Sequence, residues 1–265
     1  MSGQFIHVQN VTKIYEGKGK PIIALQDVNF SVNKREFFTI IGPSGCGKST
    51  LLNIISGLDK PTTGKVIIEG MEVNGPRPDR VAVVFQDPAL YNWRTVLDNV
   101  AFGLEIRGVN KKERREKALK YIRLVGLSGF EDKYPTQLSG GMKQRTAIAR
   151  ALCLETEILL MDEPFGALDE QTRLLLGLEL TRIWEETKKT IIFVTHSILE
   201  AALLSDRILI MSARPGRVKN IVDVDIPRPR DPNSREINNI RAMIWEEIKD
   251  EAKKMMIEGG LQIVP

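Results

Sequence analysis

The sequence predicts an α/β protein with a mixed β-sheet and a helical portion inserted into it. Five short apolar runs are rich in Ile, Val and Phe and are nearly continuous rather than alternating, which is typical of strands buried on both faces of a parallel sheet. Helical patterns separate several of these runs, as expected for an α/β fold. The runs are FFTII at 37–41, VAVVF at 81–85, ILLM at 158–161, IIFV at 191–194 and ILIM at 208–211.

Two segments near the N-terminus have a different character. FIHVQNVTKIY at 5–15 and GKVIIEG at 64–70 resemble antiparallel strands joined by glycine turns. We therefore expect an antiparallel N-terminal β portion in addition to the parallel strands.

A glycine-rich segment, GPSGCGKST, follows the first buried run and precedes the helical LLNIISGL. It fits the phosphate-binding pattern G-x-x-x-x-G-K-[ST] in the strand–loop–helix context that this pattern requires. Glycines let backbone N–H groups point at phosphates, and the helix N-terminus adds a positive dipole end. We predict that Lys48 reaches the β- and γ-phosphates, that Ser49 supplies a hydroxyl to Mg²⁺, and that Cys46 contributes only its backbone. The candidate loop consists of Gly42, Pro43, Ser44, Gly45, Cys46, Gly47, Lys48, Ser49 and Thr50.

Strand-like runs are absent between about residues 88 and 156, where helical spacing dominates. This change predicts a helical subdomain inserted into the α/β core. Residues 107–123 carry eight basic and two acidic side chains, so their local charge of +6 exceeds the +4 of the whole chain. We interpret the basic segment as one solvated helix face. The alternative is a face turned toward anionic lipid headgroups.

A second helix start, in LSGGMKQRTAIARAL at 138–152, opens with Ser139, Gly140 and Gly141. These residues suit another anion site at a helix N-terminus. A helix cap without any ligand explains them equally well when the segment is considered alone.

The run ILLMDEP ends an apolar strand with two carboxylates, Asp162 and Glu163. Side chains at the C-terminal end of such a strand project into the ligand crevice of an α/β sheet. We predict that Asp162 holds Mg²⁺ and that Glu163 polarises the attacking water. The alternative is an acidic helix cap, but two adjacent acids after such a run, in a chain with a phosphate loop, favour the functional interpretation.

The segment PRPRDPN at 227–233 predicts a Pro-rich linker. An amphipathic C-terminal helix is expected after it, packing back on the core, with a regulatory or dimer contact as the alternative. Its apolar stripe consists of Ile237, Ile240, Ile244 and Ile248, continued by Ala252 and Met255.

Composition excludes several classes of protein. The chain has 265 residues, of which 42% are hydrophobic, and this excludes wholesale disorder. A net charge of +4 is too small for a nucleic-acid coat protein.

No apolar run approaches the roughly 20 residues of a transmembrane helix, and MSGQFIHVQN lacks the features of a signal peptide. The spacing of Cys46, Cys153, His7 and His196 builds no zinc cluster, so we expect a protein of the reducing cytoplasm.

Together, GPSGCGKST, LSGGMKQR and ILLMDEP resemble the motifs of the nucleotide-binding subunit of ABC (ATP-binding cassette) transporters. The resemblance runs from about residue 5 to 220 in the family's order. It implies a P-loop (RecA-like) ATPase core that uses ATP and Mg²⁺. It also implies a homodimer that sandwiches two ATP molecules, in which Ser139 and the following glycine amides contact the γ-phosphate held by the other copy's phosphate loop.

Four further residues match the family. Tyr15 in VTKIYEG is similar to the aromatic residue that stacks on adenine, and Gln86 in VFQDP resembles the Q-loop glutamine, which would sense Mg²⁺ and the attacking water. Asp169 in GALD resembles the D-loop aspartate, and His196 in IFVTHSILEA resembles the switch histidine that would contact the γ-phosphate. Taken singly, each could be an ordinary strand, turn or surface residue.

The sequence departs from the family in two places. Gly166 stands where many members have Ser, and EGKGKPIIAL at 16–25 is a longer loop than many members carry, which we expect to mobilise Tyr15. The resemblance divides the chain into an ATPase domain, 1–226, and a C-terminal part, 227–265. Within the ATPase domain, the core is 1–87 and 157–226, and the helical subdomain is 88–156.

A narrower resemblance, to the nitrate/sulfonate/taurine importer branch, rests on NGPRPDRVAVVFQDPALYNWRTVLDNV, PFGALDEQTR and LSDRILIMSARPGRV. Members of that branch often have Leu-Pro-Trp where this chain has Tyr91, Asn92 and Trp93. It implies a peripheral subunit on the cytoplasmic face of the membrane that hydrolyses ATP to drive uptake of nitrate, sulfonate, taurine or a similar small solute. The implied partners are two transmembrane permease subunits, contacted near 87–99, and an extracytoplasmic substrate-binding protein, with no nucleic acid.

Two other functions fit the sequence less well. A soluble ABC-type ATPase acting on nucleic acid or ribosomes is disfavoured, because the chain has one motif set and no sustained heptads between Lys48 and Ser139. A regulatory nucleotide-binding module without turnover is disfavoured by the presence of Glu163 and His196.

Overall fold

The computed structural model describes residues 4–16 and 20–258. These residues belong to two compact units. The first comprises the chain up to Arg77 and from Thr190 onward, and the second is Pro78–Lys189. Both units contain strands and helices, which confirms the predicted α/β class.

The segments predicted as strands and helices form them, and further strands are present, including one that begins at Ile22. The strands are β1 (Gln4–Tyr15), β2 (Ile22–Asn33), β3 (Phe37–Ile41), β4 (Thr63–Ile68), β5 (Met71–Glu72), β6 (Val81–Val84), β7 (Ile158–Asp162), β8 (Thr190–Thr195), β9 (Arg207–Met211) and β10 (Val218–Asp223). The helices are α1 (Lys48–Ser56), α2 (Val96–Ile106), α3 (Lys111–Leu124), α4 (Gly140–Cys153), α5 (Glu170–Thr187), α6 (Ile198–Leu204) and α7 (Arg235–Glu258), with a 3₁₀ turn at Pro135–Gln137.

An antiparallel sheet in the first unit has the strand order β2-β1-β4-β5. This arrangement confirms the antiparallel prediction for the two N-terminal segments. Residues 22–25, which we expected in a long loop after Tyr15, instead belong to β2, where Ile22 pairs with Tyr15. Residues 17–19 of that loop lie outside the described part of the chain, as does any effect of theirs on Tyr15.

The first unit also contains the parallel strands β9, β3 and β8, with β10 antiparallel to β9. Every residue of β3 and of β8 is buried. Because both faces of these strands are covered, apolar side chains are favoured along their whole length, and this explains their nearly continuous apolar runs.

Helix α7 packs on this unit through the apolar stripe predicted from the sequence. Ile237, Ile244 and Ile248 are buried, and Ile240 is partly buried. Their neighbours include Ile210 of β9. The side chains of Ala252 and Met255 lie outside the described residues.

The segment expected to be a linker, 227–233, is tied to the core. Arg230 is only 6% exposed. Its guanidinium donates hydrogen bonds to backbone carbonyls of the residues just before β9 and just after β10. Because burial and the nearby Arg228 disfavour its charge, its pKa is lowered to about 10. A buried cation with this many acceptors fixes the chain path into α7.

In the second unit, β6 pairs in parallel with β7, and α2 packs against α3 and α4. This confirms that helices dominate the region between β6 and β7. Seven of the eight basic residues of 107–123 lie on α3, but Arg107 is the C-cap of α2 and donates to the Leu154 carbonyl at 2.9 Å. The assignment of all the basicity to one helix was therefore wrong for Arg107.

Candidate functional site

The phosphate loop joins β3 to α1 in a conformation that depends on glycine. Gly45 and Gly47 have positive φ values of 71° and 104°. A Cβ on Gly47 would lie 2.8 Å from the Leu25 side chain, so only glycine fits at this close approach. Lys48, the first residue of α1, is buried, and its Nζ donates to the carbonyls of Gly42 at 2.9 Å and Pro43 at 3.0 Å. Lys48, which is predicted to bind phosphates, thus connects the start of α1 to two carbonyls of its own loop.

The phosphate loop is supported by the segment 212–217, which we call the bracing segment. Arg214 donates to the Gly45 carbonyl through Nε and Nη2, at 3.2 and 3.0 Å. A Cβ on Gly216 would come within 2.1 Å of the Cys46 carbonyl oxygen, so the two backbones touch. On its other side, the segment meets α7, because the Ala213 N–H donates to the Glu251 carboxylate at 3.0 Å. The Glu251 side chain is buried.

Tyr15 and His196 belong to the same unit as the phosphate loop. Tyr15 ends β1, is 42% exposed, and has its hydroxyl 3.5 Å from the Thr50 hydroxyl. His196 follows β8 and is exposed. The turn that carries it is braced, since Thr195 Oγ1 donates to Glu200 and accepts from the Ser197 N–H.

Two candidate catalytic residues meet in the second unit. Glu163 follows β7 with a left-handed φ of 43°, a conformation that costs a non-glycine residue free energy and is often found at functional sites. A Cβ on Gly166 would lie 3.3 Å from Gln86 Nε2 and 3.7 Å from Glu163 Oε2. The amide of Gln86 and the carboxylate of Glu163 therefore border the same small space, which Gly166 leaves open.

The start of α4 lies beside the start of α5. Ser139 is the N-cap of α4 and accepts from the Met142 N–H at 3.3 Å, so the cap considered from the sequence is present. A Cβ on Gly141 would lie 3.2 Å from Thr172 Cγ2. Asp169 caps α5 by accepting the Thr172 N–H at 2.9 Å, and this backbone hydrogen bond is the main reason that its pKa is lowered.

The segment between β6 and α2 is fixed by two residues outside it, one on α2 and one on α4, that were not predicted from the sequence. Asn99, fully buried, binds both the N–H and the carbonyl of Tyr91 and also the carbonyl of Arg94. Arg150 donates to the carbonyls of Pro88 and Ala89. Trp93 is 75% exposed on this braced segment. A polar residue inside an apolar helix stripe is the only sequence signal for Asn99.

Three of the predicted site residues carry the oxygen donors assigned to Mg²⁺. Ser49 and Gln86 are exposed, and Asp162, at the end of β7, is half-buried. A hydroxyl, an amide and a carboxylate suit this hard cation. Among the described residues, no group of three or more His, Cys, Asp and Glu side chains could hold a metal ion. The same residues include no helix with the length and apolar character needed to cross a membrane.

Comparison with known families gives a match to the ABC transporter family over residues 25–166. An uncharacterized ABC transporter ATP-binding protein of Methanocaldococcus jannaschii is 56% identical over 95% of this chain and 94% of its own length. The aliphatic sulfonates import ATP-binding protein SsuB of Bacillus cereus is 43% identical over 92% of this chain and 96% of its own. The bicarbonate transport ATP-binding protein CmpC of Synechococcus elongatus is 47% identical over 85% of this chain and 34% of its own.

Solved structures agree with the sequence comparisons. The dimeric structure of the bacterial ABC transporter cassette MJ0796 has a TM-score of 0.75 and 38% identity, covering 84% of this chain and all of that one. A post-hydrolysis state of the same cassette, bound to ADP and Pi, has the same TM-score and 37% identity over the same shares. These matches confirm the P-loop ATPase fold. The chain belongs to the ABC transporter family, as one of its ATP-binding, ATP-hydrolysing subunits.

Proposed function

We propose that this ABC ATPase drives the uptake of a small solute, such as a sulfonate, taurine or nitrate, through separate membrane subunits. The observation that carries the proposal is the 43% identity, over 92% of the chain, to an aliphatic sulfonates import protein. The similarity to a bicarbonate transport protein also supports a small solute. The division into an ATPase domain, an inserted helical subdomain and a C-terminal part belongs to the same proposal.

The nucleotide is held mainly through the phosphate loop. Backbone N–H groups at the N-terminus of α1 bind phosphate oxygens, and Lys48 exchanges its carbonyl acceptors for the β- and γ-phosphates. Tyr15 stacks on the adenine base. In the dimer, Ser139, Gly140 and Gly141 of one copy complete the γ-phosphate site of the other, and Asp169 lies at the contact between copies.

Hydrolysis needs a base and an orienting group. Glu163 polarises the attacking water and Gln86 orients it; their shared position beside Gly166 supports this pairing. His196 contacts the γ-phosphate. Ser49, Gln86 and Asp162 would hold Mg²⁺, which would supply positive charge to offset that of the phosphates.

Coupling requires a membrane partner. We assign its contact to the segment 87–99, where Asn99 and Arg150 fix the backbone and Trp93 stays exposed. The proposed assembly is a homodimer of this chain with two permease subunits on the cytoplasmic face of the membrane, supplied by an extracytoplasmic substrate-binding protein.

Glu163→Gln tests the catalytic assignment. The variant should bind ATP with unchanged affinity, lose activity by about a hundredfold or more, and accumulate as an ATP-bound dimer in light scattering. Glu185→Gln, on the exposed side of α5, is the matched control. Full turnover by Glu163→Gln would remove Glu163 from the catalytic role.

Reconstitution tests the transport assignment. With a permease and candidate binding proteins in vesicles, the ATPase rate should rise only when a cognate solute is present. Trp93→Ala should abolish co-purification with the permease, whereas Trp245→Ala, which removes an exposed tryptophan of α7, should not. A complex that survives Trp93→Ala would place the coupling surface elsewhere.

A further inference from the structure

Tyr15 is held by two charged residues, one on β1 and one just after α1. Its hydroxyl donates to Asp59 Oδ2 at 3.0 Å. Asp59 Oδ1 accepts from the Lys13 ammonium at 2.6 Å, and the same ammonium lies 4.9 Å from the centroid of the Tyr15 ring. We call Lys13 and Asp59 the ring clamp, because together they hold both the hydroxyl and one face of the ring.

The elements that carry the ring clamp are themselves fixed. Lys13 and Tyr15 are two residues apart on β1, where side chains at i and i+2 share a face. Asp59 follows α1, and its N–H donates to the Asn53 carbonyl at 3.1 Å. The Tyr15 hydroxyl is also 3.5 Å from the Thr50 hydroxyl, in the first turn of α1. The ring is therefore held at a set position relative to the phosphate loop.

The charges of the ring clamp favour this arrangement. The side chains of Lys13 and Asp59 are 12% and 29% exposed, so their ion pair is partly shielded from water. Burial acts to raise the pKa of Asp59, but hydrogen bonds from Lys13, the Lys60 N–H and Tyr15 outweigh it and lower that pKa below its usual value. Asp59 is consequently ionised at neutral pH, and Lys13 stays bound to it. A cation over one ring face leaves the other face for a ligand and draws electron density away from it.

We propose that Lys13 and Asp59 are positioning residues of the nucleotide site, which hold the Tyr15 ring ready to stack on the adenine base. This inference rests on the proposed function, in which Tyr15 contacts the base. It predicts that the ring clamp contributes to affinity for the nucleotide but not for its phosphates alone, because the clamp contacts the ring and not the phosphate-binding N–H groups.

The test compares ADP with inorganic pyrophosphate by calorimetry on the full chain. Lys13→Met and Asp59→Asn should each weaken ADP binding by about three- to tenfold, the loss expected for one cation–π or hydrogen-bond contact, and leave pyrophosphate binding unchanged. Lys65→Met, which removes an exposed lysine from the same antiparallel sheet, should change neither. Equal weakening of both ligands would show a structural effect on the phosphate loop and overturn the proposal, as would unchanged ADP binding.

A double-mutant cycle separates the ring clamp from the stacking itself. Because Lys13 acts through the ring, Lys13→Met should have no further effect on ADP binding in a Tyr15→Ala background. Additive losses would overturn the proposal. If Tyr15→Ala weakens ADP binding and Lys13→Met does not, the stacking role of Tyr15 stands and the ring clamp fails. If Tyr15→Ala leaves ADP binding unchanged, both fail.

Discussion

Gly166 lies against the amide of Gln86, since a Cβ at residue 166 would be 3.3 Å from Gln86 Nε2. That distance is shorter than ordinary van der Waals contact, so a Cβ at this position would require the amide to move by a few tenths of an ångström. The same Cβ would be 3.7 Å from the Glu163 carboxylate. The absence of a side chain at residue 166 therefore bears on both groups to which hydrolysis is assigned.

Gly166→Ala should slow ATP hydrolysis by about tenfold with little change in ATP affinity, because a shift of a few tenths of an ångström misplaces an orienting group. Steady-state kinetics and calorimetry measure the two effects separately. Gly75→Ala, where an added Cβ meets nothing within 4 Å, should behave as wild type. An unaltered kcat for Gly166→Ala would mean that Gln86 has room to adjust or does not orient the water.

Lys48→Ala should weaken ATP binding by about ten- to a hundredfold, the range for loss of a charge-assisted hydrogen bond. Because Lys48 also holds the carbonyls of Gly42 and Pro43, a small loss of thermal stability should accompany it. Calorimetry with ATP, alongside Lys65→Ala as a control for charge, checks the prediction. Affinity equal to wild type would refute the phosphate role of Lys48.

Ile244→Ala should lower the free energy of unfolding by about 2–5 kcal/mol, since the Ile244 side chain of α7 is fully buried against the core. Met243→Ala, at a half-exposed neighbouring position, should cost much less. Urea denaturation of both variants gives the comparison. Equal effects would mean that α7 does not pack as described.

Glu36 gives a prediction for pH dependence. Burial raises its pKa above the usual 4.5, although Arg207 and the Asn33 N–H partly offset this. The folded state therefore binds the proton more tightly than the unfolded state. Its contribution to the free energy of unfolding is full below pH 4.5 and falls as the pH rises through the raised pKa. The difference in melting temperature between wild type and Glu36→Gln should change across that interval, and a constant difference would contradict the assignment.

The sequence predicted best those features that depend on neighbouring residues. The strands β3, β8 and β9 are covered on both faces, so their apolar runs are strong signals, and the phosphate loop is a contiguous motif. Contacts between distant segments leave no such signal. Lys13 and Asp59 are 46 positions apart, and Arg214 and Gly45 are 169 apart. Their pairing follows from how the sheets place the loops, which composition and periodicity do not encode.

The bracing segment has a thermodynamic consequence. It contacts the phosphate loop through Arg214 and Gly216 and contacts α7 through the hydrogen bond from Ala213 to Glu251. Coupling between two binding events is reciprocal. A ligand that stabilises the phosphate loop in this conformation would therefore slow hydrogen exchange in α7. A partner that binds only when α7 has detached would weaken nucleotide binding, and nucleotide would weaken the binding of that partner by the same free energy.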